Sequence, residues 1–122
     1  MSVRPAAPDD LVSVMRLLDG AVLDVDVDEV RGRIDDEEVL VYADEGLVSG
    51  AIVLDGGHIS AIAVRRERQD RGIGRQLVEA ARTRSARLTA EFDADVRAFY
   101  ESLGFEIHPI EGEPDRYRGV LE

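Results

Sequence analysis

Residues 65–74 read RRERQDRGIG and are followed by Arg75, so this segment holds five arginines and only two acids. The chain as a whole is acidic, with a formal net charge of −11. The β-rich run HISAIAV precedes the segment at 58–64, and an amphipathic run with helical spacing follows from about Gly72. The pattern therefore predicts that the basic segment connects a strand to the N-terminus of a helix.

A loop that enters a helix N-terminus is suited to binding an anion. The first peptide N–H groups of a helix have no partner within it, and the helix dipole is positive at that end. Gly72 and Gly74 would let phosphate oxygens approach the backbone closely. Arg71 and Arg75 could add charge and forked donors. The segment is therefore predicted to bind phosphate.

Two common nucleotide motifs do not fit the segment. The P-loop requires a lysine, and the chain has none. The dinucleotide fingerprint requires a third glycine where this chain has Leu77, and no early βαβ unit surrounds the segment. Arg65, Arg66 and Arg68 could also simply pair with carboxylates at the surface.

The rest of the chain shows no repeat or linker, so we expect a single domain over residues 1–122. Changes in hydrophobic period and turn residues mark the elements. They are a strand at 2–4, helices at 8–19 and 26–36, strands at 39–43, 47–54 and 58–64, a helix from about 72 to 85, a strand at 87–92, a helix at 95–103 and a C-terminal hairpin. The order β-α-α-β-β-β-α-β-α-β-β predicts an α/β mixture of the α+β kind.

Length and composition favour a globular domain. The chain has 122 residues, of which 44% are hydrophobic, which is enough for one core. No apolar run approaches the roughly 18 residues of a membrane span, and the first residues do not resemble an export leader. Without cysteine, disulfides and thiolate metal sites are excluded. We expect a cytoplasmic protein with no membrane partner and no metal.

The type of charge is also informative. All 15 basic residues are arginine, and they face 26 acidic residues, a balance that argues against nucleic-acid binding. An acidic surface without lysine is typical of halophilic proteins. A GC-rich genome and an ordinary acidic protein would give the same composition. A melting temperature that rises with KCl concentration would favour the halophilic interpretation.

Two motifs resemble those of the GCN5-related N-acetyltransferase (GNAT) family. The family's cofactor motif is Gln/Arg-x-x-Gly-x-Gly/Ala after a strand that ends in an apolar pair, and Gln69, Gly72 and Gly74 match it. A second family feature lies on the late helix in the stretch FYESLGF, which supplies Phe99, Tyr100, Gly104 and Phe105. The order of predicted elements also agrees with the family fold, a mixed sheet with splayed middle strands flanked by helices.

The resemblance implies that acetyl-CoA, or a related acyl-CoA, is the acyl donor. Backbone groups of the strand at 58–64 would pair with the pantetheine arm, and a strand N–H would polarise the thioester carbonyl. The implied cofactor-binding residues are Ile62, Ala63, Val64, Gln69, Asp70, Arg71, Gly72, Ile73, Gly74 and Arg75. The strands at 58–64 and 87–92 would splay apart to admit the cofactor and the acceptor.

The resemblance also implies catalytic roles. Tyr100 would act as general acid to the departing thiolate, although by period alone it could be a core aromatic. The general base is not assigned, because Leu88 occupies the position where some relatives carry a glutamate. Glu91 and His58 are candidate bases, since their strands border the predicted cleft. Asp93 replaces the family's asparagine, which weakens any cofactor contact there.

Three function classes remain open at this point. The first is an N-acetyltransferase that moves acetyl directly to a primary amine of a small molecule or a protein. The second is a sensor or regulatory domain that binds acetyl-CoA without turnover. The third is an acidic interaction protein in which the motif is accidental. Short N-terminal helices suggest an open acceptor side that a homodimer could complete.

Overall fold

Seven strands form one mixed sheet in the computed structural model, which describes residues 3–20, 25–69 and 71–122. The strands are β1 (Val3–Pro5), β2 (Val39–Asp44), β3 (Leu47–Asp55), β4 (His58–Val64), β5 (Leu88–Asp93), β6 (Glu106–Pro109) and β7 (Arg116–Leu121). The helices of the described chain are α1 (Leu11–Gly20), α2 (Val27–Asp35), α3 (Ile73–Arg82) and α4 (Arg97–Ser102). None of these helices is long and apolar enough to cross a membrane.

The observed element order confirms the predicted α/β arrangement, apart from three short 3₁₀ turns. The largest difference is at α3, which ends at Arg82 rather than near Ser85. Thr83 stops the helix because its N–H and its hydroxyl both donate to the Ala80 carbonyl, at 3.2 and 2.7 Å. Helix α4 begins at Arg97, after a 3₁₀ turn over Ala94–Val96. The predicted first strand included residue 2, which lies outside the described residues.

The two faces of the sheet carry different helices. Helices α1 and α2 pack on β2, β3 and β4, and α3 packs on the opposite face. The α3 face continues across β5 and β7 into α4, where the buried residues are Leu88, Ala90, Phe92, Tyr100, Phe105 and Leu121. Gly50 of β3 permits the close approach of α3, because a Cβ there would lie 2.8 Å from Ile73 Cγ2.

The centre of the sheet contains one parallel pair, between β4 and β5. The sheet order is β1-β2-β3-β4-β5-β7-β6, and every other neighbouring pair is antiparallel. Strands β4 and β5 pair at only two positions, His58 with Thr89 and Ile59 with Ala90. Beyond them the strands separate, which confirms the predicted splay.

A β-bulge lies where the separation begins. Ile59 pairs with Leu54 of β3, and Ala61 pairs with Val53, so Ser60 is an extra residue in β4. A bulge bends its strand and increases the local twist. The bend follows directly after the last pair between β4 and β5, and it therefore explains how β4 can leave β5 while remaining paired with β3.

Candidate functional site

Peptide groups of β4 face the gap between β4 and β5. Arg65 N–H donates to the Ser49 carbonyl on β3 at 2.7 Å. Because backbone groups alternate in direction along a strand, those of Ala63 also face β3, whereas those of Ile62 and Val64 face the gap. The Val64 carbonyl accepts a hydrogen bond from Gln69 Nε2 at 3.3 Å. One wall of the gap therefore consists of the peptide groups of Ile62 and Val64, of which the Val64 carbonyl already has a partner in Gln69.

The N-terminus of α3 follows the end of β4. Gly72 is the N-cap residue and has a φ of 79°, a left-handed conformation that favours glycine. The Gln76 N–H donates to the Gly72 carbonyl at 3.0 Å, which closes the first turn. The N–H groups of Ile73, Gly74 and Arg75 have no acceptor within the helix. Asp70, which is part of the predicted loop, lies outside the described residues.

Gly74 also brings α3 and α4 together. A Cβ at Gly74 would lie 2.9 Å from Cε1 of Phe99, so the glycine makes room for this ring. The Arg75 guanidinium donates to the Ser102 carbonyl at 2.9 Å and ties the first turn of α3 to the end of α4. Arg75, predicted to contact phosphate, thus has a partner in the protein as well.

The other arginines of the basic segment are arranged differently from one another. Arg66 and Arg71 are exposed. Arg65 lies 3.9 Å from Glu67, and Arg68 lies 3.9 Å from Asp44. Exposed pairs at such distances contribute about 0–1 kcal/mol to stability. Arg66 and Arg71 are therefore the arginines of this group that are most accessible to an anion.

Tyr100 lies in an aromatic cluster against β5. Its ring stacks on Phe92 with the centroids 4.2 Å apart, and Phe99 and Phe105 each meet it edge-on at 5.1 Å. Gly119 of β7 makes room for the cluster, because a Cβ there would lie 3.1 Å from both Phe92 and Phe105. Burial raises the pKa of Tyr100 to about 12 from 10.0. The phenol therefore remains protonated across the physiological range.

The raised pKa of Tyr100 predicts a loss of stability in alkali. The unfolded chain releases the phenolic proton near pH 10, whereas the folded chain retains it until about pH 12. The contribution of this proton to the stability of the folded state is complete below pH 10. It is lost as the pH rises towards 12, and the free energy of unfolding falls by about 3 kcal/mol in total. Urea unfolding at pH 9, 10 and 11 should show that the free energy of unfolding falls with pH in the wild type. The Tyr100→Phe variant should lack this fall. Parallel pH dependences for the two proteins would contradict the burial argument.

The two candidate bases occupy different places. His58 lies in the paired part of β4, where its Nδ1 is 2.8 Å from the Thr89 hydroxyl. Glu91 is exposed and is the first residue of β5 beyond the pairing with β4. Because side chains alternate along a strand, Glu91 lies on the face opposite Phe92. Glu91 is therefore the candidate that lies at the start of the gap.

The two departures from the family pattern have structural roles. Leu88 is 1% exposed and belongs to the core on the α3 face. Asp93 accepts a hydrogen bond from Arg116 Nη1 at 2.9 Å, and this bond raises the pKa of Arg116. His108, on β6, is exposed and lies 2.7 Å from Glu106.

Within the described ranges, no three His, Asp or Glu side chains are grouped as a metal site.

Sequence reasoning did not single out the arginines of β7. Arg116 and Arg118 lie opposite Asp93 and Glu91 on the same face of the sheet. Their spacing of two in the run RYRGVL was a signal that both belong to one face. That spacing does not show that β7 pairs with β5 as well as with β6, so it could not place these arginines opposite Asp93 and Glu91.

A comparison with protein families matches residues 18–120 to the acetyltransferase (GNAT) domain. The chain belongs to this family. The match includes the basic loop, α3, β5 and α4, so both motifs recognised in the sequence lie within it. A comparison with curated proteins finds no match.

Solved structures of GNAT proteins share the fold. Ard1 from Thermoplasma volcanium superposes with a TM-score of 0.80 at 21% identity, covering 98% of this chain and 95% of its own. The putative acetyltransferase yncA from Salmonella typhimurium, solved with acetyl-CoA, gives 0.78 at 18% identity over 100% and 93%. N-acetylglutamate synthase from Neisseria gonorrhoeae, solved with coenzyme A and N-acetyl-glutamate, gives 0.75 at 20% identity over 98% and 34%. At these identities the likeness concerns the fold.

Proposed function

We propose that this GNAT-family chain is an N-acetyltransferase that moves acetyl from acetyl-CoA directly to a primary amine. One observation carries the proposal: β4 and β5 separate after Ile59 and Ala90, and the peptide groups of Ile62 and Val64 face the gap. Peptide groups that face such a gap can pair with the amide groups of a bound ligand. Residues 1–122 would act as one N-acetyltransferase domain.

The residues present fit acetyl-CoA in two respects. The gap-facing peptide groups of Ile62 and Val64 suit the amides of the pantetheine arm. The unpaired N–H groups of Ile73, Gly74 and Arg75 suit the pyrophosphate, with the exposed Arg71 nearby in sequence. The acetyl-CoA bound to yncA supports this assignment through the shared fold. Ala63 has its peptide groups directed at β3 and its side chain buried, so it lines the core rather than the gap.

Acetyl-CoA supplies an acetyl group activated as a thioester. Glu91 at the start of the gap would remove a proton from the acceptor ammonium, directly or through a water molecule. The free amine then forms the new C–N bond, and the C–S bond breaks. The second amine proton passes to solvent or to the base. A gap-facing N–H of β4 would stabilise the carbonyl oxygen as charge develops on it.

Tyr100 would stabilise the departing sulfur. With a pKa of about 12, its phenol is a weaker acid than a thiol, for which the cysteine value of roughly 8.5 is a stand-in. Complete proton transfer to the thiolate is therefore unfavourable, and Tyr100 acts mainly as a hydrogen-bond donor. His58 is the second candidate base, but its Nδ1 is already directed at Thr89.

Two assays test the proposed function. Acetyl-CoA should raise the melting temperature, and thiol release from acetyl-CoA should accelerate when primary amines are added. The amine panel should include amino acids, polyamines and a peptide with a free N-terminus and lysine. Absence of stabilisation by acetyl-CoA would refute donor binding. Stabilisation without thiol release for any amine would instead indicate a binding domain without turnover.

A further inference from the structure

One face of β5, β7 and β6 carries a row of charged side chains. Glu91 of β5 pairs with Arg118 of β7, and Arg118 pairs with His108 of β6. Directly paired residues share one face of a sheet, and this is the face opposite Phe92 and Tyr100. All three side chains are exposed. Helices α1 and α2, on the same side of the sheet, pack on β2, β3 and β4.

Most charges around this row already have partners. Asp93 binds Arg116 at 2.9 Å, and Glu106 binds His108 at 2.7 Å. Glu91 and Arg118, in contrast, form no hydrogen bond and no ion pair within 4.0 Å in the part of the chain that the structure describes, although Glu91 is near enough to Arg116 to help raise the pKa of that guanidinium. They are nevertheless directly opposite each other. A carboxylate and a guanidinium thus remain available side by side.

The register brings these two residues close together. Ala94 N–H donates to the Asp115 carbonyl, so Ala94 and Asp115 form a hydrogen-bonded pair. Hydrogen-bonded and non-hydrogen-bonded pairs alternate along an antiparallel ladder, and Glu91 with Arg118, three positions away, is therefore a non-hydrogen-bonded pair. Cα atoms in such pairs are about 4.5 Å apart, and their side chains lie closer than in hydrogen-bonded pairs. Glu91 is also the first residue of β5 past its pairing with β4. The pair therefore borders the gap that the proposed function assigns to the acetyl donor.

We propose that the acceptor is a free amino acid, whose α-amino group faces Glu91 and whose α-carboxylate binds Arg118. The inference rests on the proposed N-acetyltransferase function. In an amino acid the ammonium and carboxylate are carried by one carbon, which matches a carboxylate and a guanidinium on adjacent strands. The guanidinium can bind a carboxylate through two parallel N–H···O bonds. Arg118 is thus a specificity-determining residue for the amino acceptor.

The same arrangement disfavours other amines. A polyamine or a lysine side chain in a protein has no carboxylate beside the reacting nitrogen, so Arg118 would remain unpaired. A second ammonium group of a polyamine placed at Arg118 would meet a like charge where an amino acid places its carboxylate.

The inference is tested by binding as well as by turnover. The probes are the twenty standard amino acids and their α-amides, measured by calorimetry and thermal shift with and without CoA. We expect at least one amino acid to bind about 10-fold or more tightly than its amide. Arg118→Gln should weaken that amino acid about 10-fold to 100-fold and leave its amide unchanged. Arg82→Gln, which removes the same charge from the exposed end of α3, should change neither.

The outcomes separate this inference from the proposed function. If no amino acid binds, if amides bind equally well, or if Arg118→Gln keeps the preference for the free acid, the inference is overturned. Acetylation of polyamines or peptides as fast as of any amino acid would also overturn it and leave the N-acetyltransferase function standing. If amino acids bind through Arg118 and acetyl-CoA is never consumed, the function fails while the carboxylate-binding role stands.

Discussion

Tyr100→Phe is expected to lose about 100-fold or more in kcat while binding acetyl-CoA as tightly as the wild type. The variant lacks the hydroxyl that would donate to the departing sulfur. It keeps the ring, which stacks on Phe92 at 4.2 Å and meets Phe99 and Phe105 edge-on, so the fold should not change. Steady-state kinetics of thiol release and calorimetry with acetyl-CoA measure the two quantities separately.

The matched control is Tyr42→Phe. Tyr42 is partly buried on β2, at a distance of three strands in the sheet order from β5. The Tyr42→Phe variant also loses a phenolic hydroxyl, and its kcat should equal that of the wild type. A Tyr100→Phe enzyme with unchanged kcat would remove the hydroxyl from the proposed chemistry. A parallel loss in both variants would mean that removal of any tyrosine hydroxyl near the core lowers kcat, and that Tyr100 has no special role as a donor.

Gly57→Ala is expected to disrupt the junction at which β4 and β5 meet. A Cβ at Gly57 would clash with the carbonyl oxygen of Arg87, and no side-chain rotation can relieve a clash with backbone. The Gly57 carbonyl also accepts the Thr89 N–H at 2.9 Å, so movement of either strand weakens this bond. We expect a cost of about 2–3 kcal/mol and a melting temperature lower by about 10 °C. KM for acetyl-CoA should rise because the gap begins at this junction.

Gly32→Ala provides the comparison for this prediction. Gly32 lies within α2, and a Cβ there would have no atom within 4 Å. Alanine in a helix interior is more stable than glycine by about 0.5–1 kcal/mol, so this variant should melt at a slightly higher temperature. A Gly57→Ala protein with wild-type melting temperature and KM would show that the backbone at the β4–β5 junction can move to accept a Cβ, which would contradict this prediction.

Local patterns predicted the elements and their order. The periods of two and 3.6 residues, with glycine at the turns, located β4, α3, β5 and α4 to within a few residues, because these signals are local. Gly72 and Gly74 were expected to let a phosphate approach the backbone, and the left-handed φ of 79° at Gly72 is a separate reason for a glycine there. The family membership inferred from two short motifs agrees with the match over residues 18–120.

Features that depend on contacts between distant segments were not predicted. The bulge at Ser60 depends on how β4 pairs with β3, and no residue type marks it in the sequence. The packing role of Gly74 depends on Phe99, which is 25 positions later in the chain. The pairing of Glu91 with Arg118 requires the register between β5 and β7. Such juxtapositions are set by tertiary structure, whereas propensity and spacing describe only neighbours along the chain.

The central claim is that coenzyme A binds in the gap between β4 and β5. Amide hydrogen exchange of ¹⁵N-labelled protein, with and without CoA, tests this claim residue by residue. Bound CoA should slow exchange at Ile62 and Val64, whose N–H groups face the gap, relative to Ala61 and Ala63, whose N–H groups face β3. Equal changes at all four amides, or none in the presence of saturating CoA, would contradict the account.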